Sequence, residues 1–342
     1  MLITSSVHKL EAYTPGEQPK SKHVIKLNTN ENPYPPSPKC RTVLKNFDID
    51  QLRRYPDPVF MALREEIAKL NSTSTDNVFV GNGSDEILTV AAKSFVENSE
   101  SIGSLDPSYS LYKTLAAIRD VKWLGFDPRK DKTPKKVSLY LWTNPNAPTG
   151  EFAEIKDIAA FAKSFPGVVI VDEAYADFAR ENAMRLSTSK TNKNIIVMRT
   201  FSKSYSLAGL RVGYCVGPKK LIGAMYKVKD SYNVDALAQS LALAAIKDQA
   251  WMKKNAAKVI KTRERLTTEL IKLGWDVIPS ESNFVFAKPA HKKAAVLFED
   301  LKGRHIYVRY FTGPKTADRL RVTIGTDTEI NELLKAIHEL DN

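Results

Sequence analysis

The chain has 342 residues, 43% of them hydrophobic, with both charge signs mixed along it, which is enough for a substantial core and for two lobes of a soluble globular protein. Lys+Arg 51 against Asp+Glu 39 leaves +12, a balance that favours anionic ligands, but no basic block is dense enough, or regularly enough interleaved with aromatics, to argue for nucleic acid. Two cysteines without a CxxC and five unclustered histidines exclude a disulfide framework and a zinc site, while the opening "MLITSSVHKLEAYTPGEQPK" has no signal-peptide pattern and no segment has the length of a membrane span, so a cytoplasmic protein is expected.

Residues 1–38, ending "NTNENPYPPSPK", are rich in Pro and Asn and lack helical periodicity. They read as an extended arm laid on another lobe or on a partner subunit. From Asp57 the pattern becomes helical: Asp57 can N-cap, Pro58 suits the first turn, and Val59, Leu63, Ile67 and Leu70 recur on one face. Apolar runs at 78–80, 101–105, 137–142, 168–171, 194–198 and 213–216 then alternate with helical stretches. That alternation predicts an α/β domain over 39–232 with a mainly parallel sheet, whose ligands sit beyond the carboxyl ends of the strands. The runs end in "GNGSDE", "DPSYS", "NPNAPTG", "DEAY" and "FSKS", polar loops with the composition of a site. Beyond 232, helical stretches at 235–247, 249–273 and 327–340, with short strands in "NFVFAK" and "LRVTIGT", predict a linking helix and a smaller α+β domain over 233–342, joined by the arm.

The loops carry chemistry. Asp172 follows "VVIV", so a carboxylate stands at the end of a buried strand, where ionisation is costly unless a cation or strong donors meet it; a capping or ion-paired aspartate is the bland alternative. Ser84 and Asp85 open a helix beside Gly83, where free amides suit phosphate, although "GNG" alone is more often a turn. Ser202 and Arg211 could meet the same phosphate, and Lys203 between them becomes nucleophilic if desolvated near cations. Tyr175 adds a phenolic donor. One ligand answers all of these groups: an aromatic aldehyde with a phosphate, a basic ring nitrogen and a phenolic oxygen, which is pyridoxal 5'-phosphate.

With "LNTNENPYPPSP", "RRYPDP", "GNGSDE", "DPSYSLY", "NPNAPTG", "VDEAYADF", "TFSKSYSLAGLRVGY", "SNFVF" and "LRVTIGT" in order, the chain resembles fold-type I pyridoxal-phosphate enzymes, and more narrowly the histidinol-phosphate aminotransferases, almost end to end. The resemblance implies a large domain with a mainly parallel seven-stranded sheet between helices. It makes Lys203 the lysine that forms a Schiff base with the cofactor, and Ser202, Arg211, Gly83, Ser84 and Asp85 the phosphate site. Asp172 would face the pyridine nitrogen, Tyr175 the phenolate oxygen, and Tyr109 the ring face. Tyr55 would reach the phosphate of the neighbouring subunit's cofactor, implying a homodimer. One position departs from the pattern: the asparagine usually found before "PTG" is Ala147, so either Asn146 takes over its hydrogen bond or Tyr175 acts alone, and a raised Schiff-base pKa is expected. Arg321 matches the arginine that holds a substrate carboxylate. For a phosphorylated amine without one, Arg321 and Arg309 would hold the phosphate, with Tyr13 and Asn32 closing over the site. The implied reaction is ping-pong transamination from histidinol phosphate to a 2-oxo acid, 2-oxoglutarate first. An aromatic amino-acid aminotransferase, a phosphothreonine decarboxylase and a non-catalytic regulatory module are the alternatives.

Overall fold

The computed structural model describes residues 16–19 and 23–341, with Leu2, Ile3 and His8; Tyr13 lies outside the described residues. Its centre is a seven-stranded sheet. The strands Val78–Gly81, Gly213–Val216, Ile195–Thr200, Val168–Asp172, Val137–Thr143, Ser101–Ser104 and Lys122–Gly125 lie side by side in that order. All run parallel except Gly213–Val216, which is antiparallel to both neighbours.

The central strands are continuous runs of Val, Ile, Leu and aromatic residues because both faces are covered. Alternate side chains separate cleanly. Ile170, Ile196, Met198, Leu139 and Leu141 pack with Ile87, Leu88, Tyr112, Leu115, Ile222 and Met225, which belong to the helices Gly83–Phe95, Leu111–Ile118 and Lys219–Tyr226. Val169, Val171, Ile195, Val197, Tyr140 and Trp142 face the other way, onto Ile158 and Phe161 of helix Ile155–Ser164. Each such fully buried aliphatic side chain contributes about 1.5–3 kcal/mol. Parallel strands with crossover helices put the carboxyl ends of all the strands but Gly213–Val216 on one edge, and the polar loops gather there.

A second, four-stranded antiparallel sheet is ordered Arg309–Tyr310, Leu320–Thr323, Phe284–Lys288 and Asp276–Ile278. It packs with the 24-residue helix Gln249–Lys272, helix Ala294–Gly303 and helix Asp327–Leu340, the last closed by a capping box between Thr326 and Glu329. The arm joins this sheet's neighbourhood: Ile25–Lys26 pairs in parallel with Ile306–Tyr307, and the Thr323 N–H donates to the Leu27 carbonyl at 2.9 Å. No helix of the described residues is long and apolar enough to cross a membrane.

Two expectations change. Asp57 does not cap the helix directly; its carboxylate accepts from the Val59 and Met61 amides at 3.0 and 2.7 Å, capping a turn, and the helix runs Met61–Leu70. Val59 therefore falls outside the helix and is exposed, as is Leu70, leaving Leu63 and Ile67 as its buried stripe. The edge strand Lys122–Gly125 is absent from the expected runs, because "KWLG" is half-exposed and has no apolar run to announce it.

Candidate active site

Between the carboxyl edge of the large sheet, the arm and the four-stranded sheet lies a cavity of about 920 Å³. Asp172, Thr143 and Thr200 reach it from the ends of three adjacent strands, and Ser84 and Asp85 from the first turn of the helix that follows Val78–Gly81. Gly83 has φ +77°, and a Cβ there would stand 2.6 Å from an Arg211 guanidinium nitrogen. The glycine thus lets the guanidinium lie against the helix start. Arg211 donates to the Ser202 hydroxyl at 3.3 Å and reaches the Asp85 carboxylate at 3.4 Å. Ser84, Ser202 and Arg211 together form an anion cradle at a helix N-terminus.

Asp172 is buried and accepts two hydrogen bonds, from the Tyr112 hydroxyl at 2.8 Å and the Ala174 amide at 3.1 Å. Burial pushes its carboxyl up to about 6, and the two donors hold it from going higher. Tyr112 also shares a 2.5 Å hydrogen bond with Thr143, so one rigid chain of hydroxyls sets the carboxylate's position. Tyr109 stands edge-on to Tyr112 and donates to Asp85 at 3.2 Å, lining the wall above.

Lys203 sits in the loop between Ile195–Thr200 and Gly213–Val216, and its ammonium donates to the Thr29 carbonyl at 3.4 Å. Burial first, then the Arg321 and Arg211 charges, lower its pKa to about 8 against the opposing pull of Glu31 and Asp85. Its backbone is gripped on both sides. Asn32 donates to the Lys203 and Ser204 carbonyls at 3.1 and 3.3 Å, and the Ser204 hydroxyl donates to Asp177. Asp177 in turn pairs at 2.7 Å with Arg199, whose Nε meets the buried Glu173 at 2.8 Å. Tyr175 stands edge-on to Phe284, and its hydroxyl accepts from Asn30 Nδ2 at 2.9 Å. Across the cavity Arg309 and Arg321 are direct cross-strand partners, both against the Phe311 ring, and Arg321 donates to the Asn28 carbonyl at 3.1 Å.

The structure therefore brings together Ser84, Asp85, Tyr109, Asp172, Tyr175, Ser202, Lys203, Arg211, Arg309 and Arg321, with Gly83 acting through the space it leaves. Three other expected residues lie outside the cavity lining. Asn146 is spent outside the cavity: its amide donates to the Pro107 carbonyl and Thr149 hydroxyl at 3.0 and 3.1 Å and accepts from Ser108 at 3.0 Å. Ala147, not Asn146, lines the cavity. Asn32 fastens the lysine loop from behind instead of lining the cavity. Tyr55 is 78% exposed and stacked on Tyr232 at 4.3 Å, away from the residues that line the cavity. Sequence reasoning missed Tyr112, Thr143 and Asn30. Tyr112 reads as a helix core residue, and nothing in "NTNEN" says which asparagine faces inward.

Residues 22–337 match the family described as Aminotransferase class I and II, and the chain is a member of that class, the pyridoxal-phosphate-dependent transaminases. It is 41% identical over 344 residues to histidinol-phosphate aminotransferase 1 of Nostoc sp., and 42% identical over 342 residues to the histidinol-phosphate aminotransferase of Microcystis aeruginosa. Each alignment covers 98% of this chain and 97% of the relative. Within the class, the chain belongs to the histidinol-phosphate aminotransferase family. The crystal structure of histidinol-phosphate aminotransferase from Sinorhizobium meliloti in complex with pyridoxal-5'-phosphate has the same fold, with a TM-score of 0.89 at 23% identity over 99% of this chain and 98% of that one.

Proposed function

We propose that this protein transfers the amino group of L-histidinol phosphate to a 2-oxo acid, 2-oxoglutarate first, in two half-reactions at one site. The observation that carries the substrate is the Arg309–Arg321 pair, a second anion site facing Lys203 and separate from the cradle of Ser84, Ser202 and Arg211. One cradle takes the cofactor phosphate. The other takes the substrate phosphate in one half-reaction and a carboxylate of the oxo acid in the next, since a guanidinium binds both in two-pronged fashion.

The donor set fits pyridoxal phosphate in this structure: the phosphate cradle, a buried carboxylate already fixed by two donors, a phenol whose oxygen accepts from behind, and a desolvated lysine border one cavity. When bound, the cofactor supplies an aldehyde that captures amines and a ring that stabilises negative charge at the substrate carbon. Asp172 would hold a proton on the ring nitrogen by offering it a buried negative partner. Lys203, whose lowered pKa of about 8 gives it a far larger neutral fraction near neutral pH than an ordinary lysine has, takes the proton from the substrate carbon at Nζ. Asn32 and the Ser204–Asp177–Arg199 chain keep its backbone still while the side chain swings. Tyr175, whose oxygen accepts from Asn30, would donate to the phenolate oxygen.

Two copies complete the site in this reading. Leu44, Ile49, Leu52, Tyr55, Val59 and Met61 are exposed along one stretch, with Tyr55 stacked on exposed Tyr232. Such a surface is expensive to leave in water and suits a second copy.

The direct test mixes the cofactor-loaded protein with L-histidinol phosphate and no oxo acid. Loss of the visible band, one equivalent per subunit, is the expected result. Conversion by phenylalanine or tyrosine alone would reassign the substrate, and carbon dioxide release from phosphothreonine would reassign the reaction.

A further inference from the structure

Ala147 leaves the cavity wall beside Tyr175 without an amide donor, and Asn146 has both amide hydrogens committed to Pro107 and Thr149. The arm supplies an amide instead, one step further back. The orientation of Asn30 follows from its partners. The Thr323 hydroxyl accepts from the Asn30 N–H at 2.9 Å and gives its own proton to Asn30 Oδ1 at 3.0 Å, so Nδ2 is left on the Tyr175 side, at 2.9 Å from the phenol oxygen. An amide nitrogen only donates. The Tyr175 oxygen therefore accepts, and its hydrogen is turned away from Asn30. The asparagine is further fixed by a left-handed backbone, φ +55°, and by Asn283 Nδ2 donating to its carbonyl at 3.0 Å.

We propose that Asn30 is a positioning residue for the cofactor: it aims and polarises the Tyr175 hydroxyl, and so replaces part of the hydrogen bonding that Ala147 cannot provide. Donors in series strengthen one another, so a phenol that accepts from an amide is a better donor to the next oxygen. The charged groups facing Tyr175 are Arg321, Asp172 and Asp85, with Lys203 against its ring, and none of them fixes the direction of the phenol hydrogen as Asn30 does.

This inference rests on the cofactor reading above and has a readout other than turnover, the pH titration of the visible band of the loaded protein. Weaker donation to the phenolate oxygen lets the Lys203 linkage keep its proton to higher pH. Asn30→Gly, which tolerates the left-handed backbone, is expected to raise the midpoint by about half a pH unit. Asn30→Asp keeps the shape and the Thr323 hydrogen bond but turns an acceptor on the phenol, so it should raise the midpoint further, at least as far as Tyr175→Phe. In a Tyr175→Phe background the Asn30→Gly shift should vanish. A midpoint unmoved by either Asn30 variant, or an Asn30→Gly shift that persists without the phenol, would overturn the role of Asn30 while leaving the cofactor reading intact. A wild-type protein that forms no visible band with pyridoxal phosphate would overturn both.

Discussion

Lys203 gains its reactivity from where it is buried: removed from water and flanked by the charges of Arg321 and Arg211, it releases its proton near pH 8. The cofactor-free protein should therefore capture pyridoxal phosphate at a rate that climbs with pH around a midpoint near 8, measured by stopped-flow absorbance. Arg321→Gln should move that midpoint upward, and a midpoint near 10 in the wild type would contradict the environment described. Asp172 presents the opposite sign of cost. Its carboxyl is raised by burial from 3.8 to about 6, so the native chain holds that proton more tightly than the unfolded chain. The cofactor-free fold consequently loses stability as pH rises from about 4 to about 6, by an amount on the order of 3 kcal/mol once the group is fully ionised. Asp172→Asn should make the cofactor-free protein more stable at pH 7 than the wild type, with the gap closing toward pH 4, while weakening cofactor binding. Denaturant titrations across that range decide it.

At the scale of elements, the decisive join is between strand Val78–Gly81 and helix Gly83–Phe95, where a missing side chain admits a guanidinium. Gly83→Ala adds a methyl group 2.6 Å from Arg211 in a backbone region that disfavours alanine. A loss of about 1–2 kcal/mol in stability and roughly a tenfold weaker affinity for the cofactor are expected, read by thermal melts and by equilibrium dialysis. This join was legible in "GNGSDE" only together with Ser202 and Arg211, since "GNG" alone is more often a turn. The buried strands and the lysine loop were legible because a run of β-branched residues that gives way to Asp172, or to the polar loop carrying Lys203, states its own boundary. Tyr112 was not legible, since a tyrosine at helical spacing buries its ring whether or not its hydroxyl has a task. The fate of Asn146 depended on contacts with Pro107 and Thr149 made across a loop, and local pattern carries no information about them.

For the molecule as a whole, the exposed stretch from Leu44 to Met61 leads to a prediction about assembly. Leu52→Glu should give a monomer in sedimentation velocity and lose most activity, whereas a fully active monomer would remove the second copy from the site. The arm has a different consequence. Asn30 and Asn32 come from the first tenth of the chain, Arg309, Arg321 and Thr323 from the last, and each set is fastened to the other around Lys203. On the ribosome, the large sheet has all its strands by residue 216, yet the reaction centre has no far wall until more than a hundred further residues have emerged. A chain that stops in that interval has every strand of the large sheet but lacks Arg321, which lines the cavity with Lys203, and Thr323, whose hydroxyl holds the Asn30 side chain.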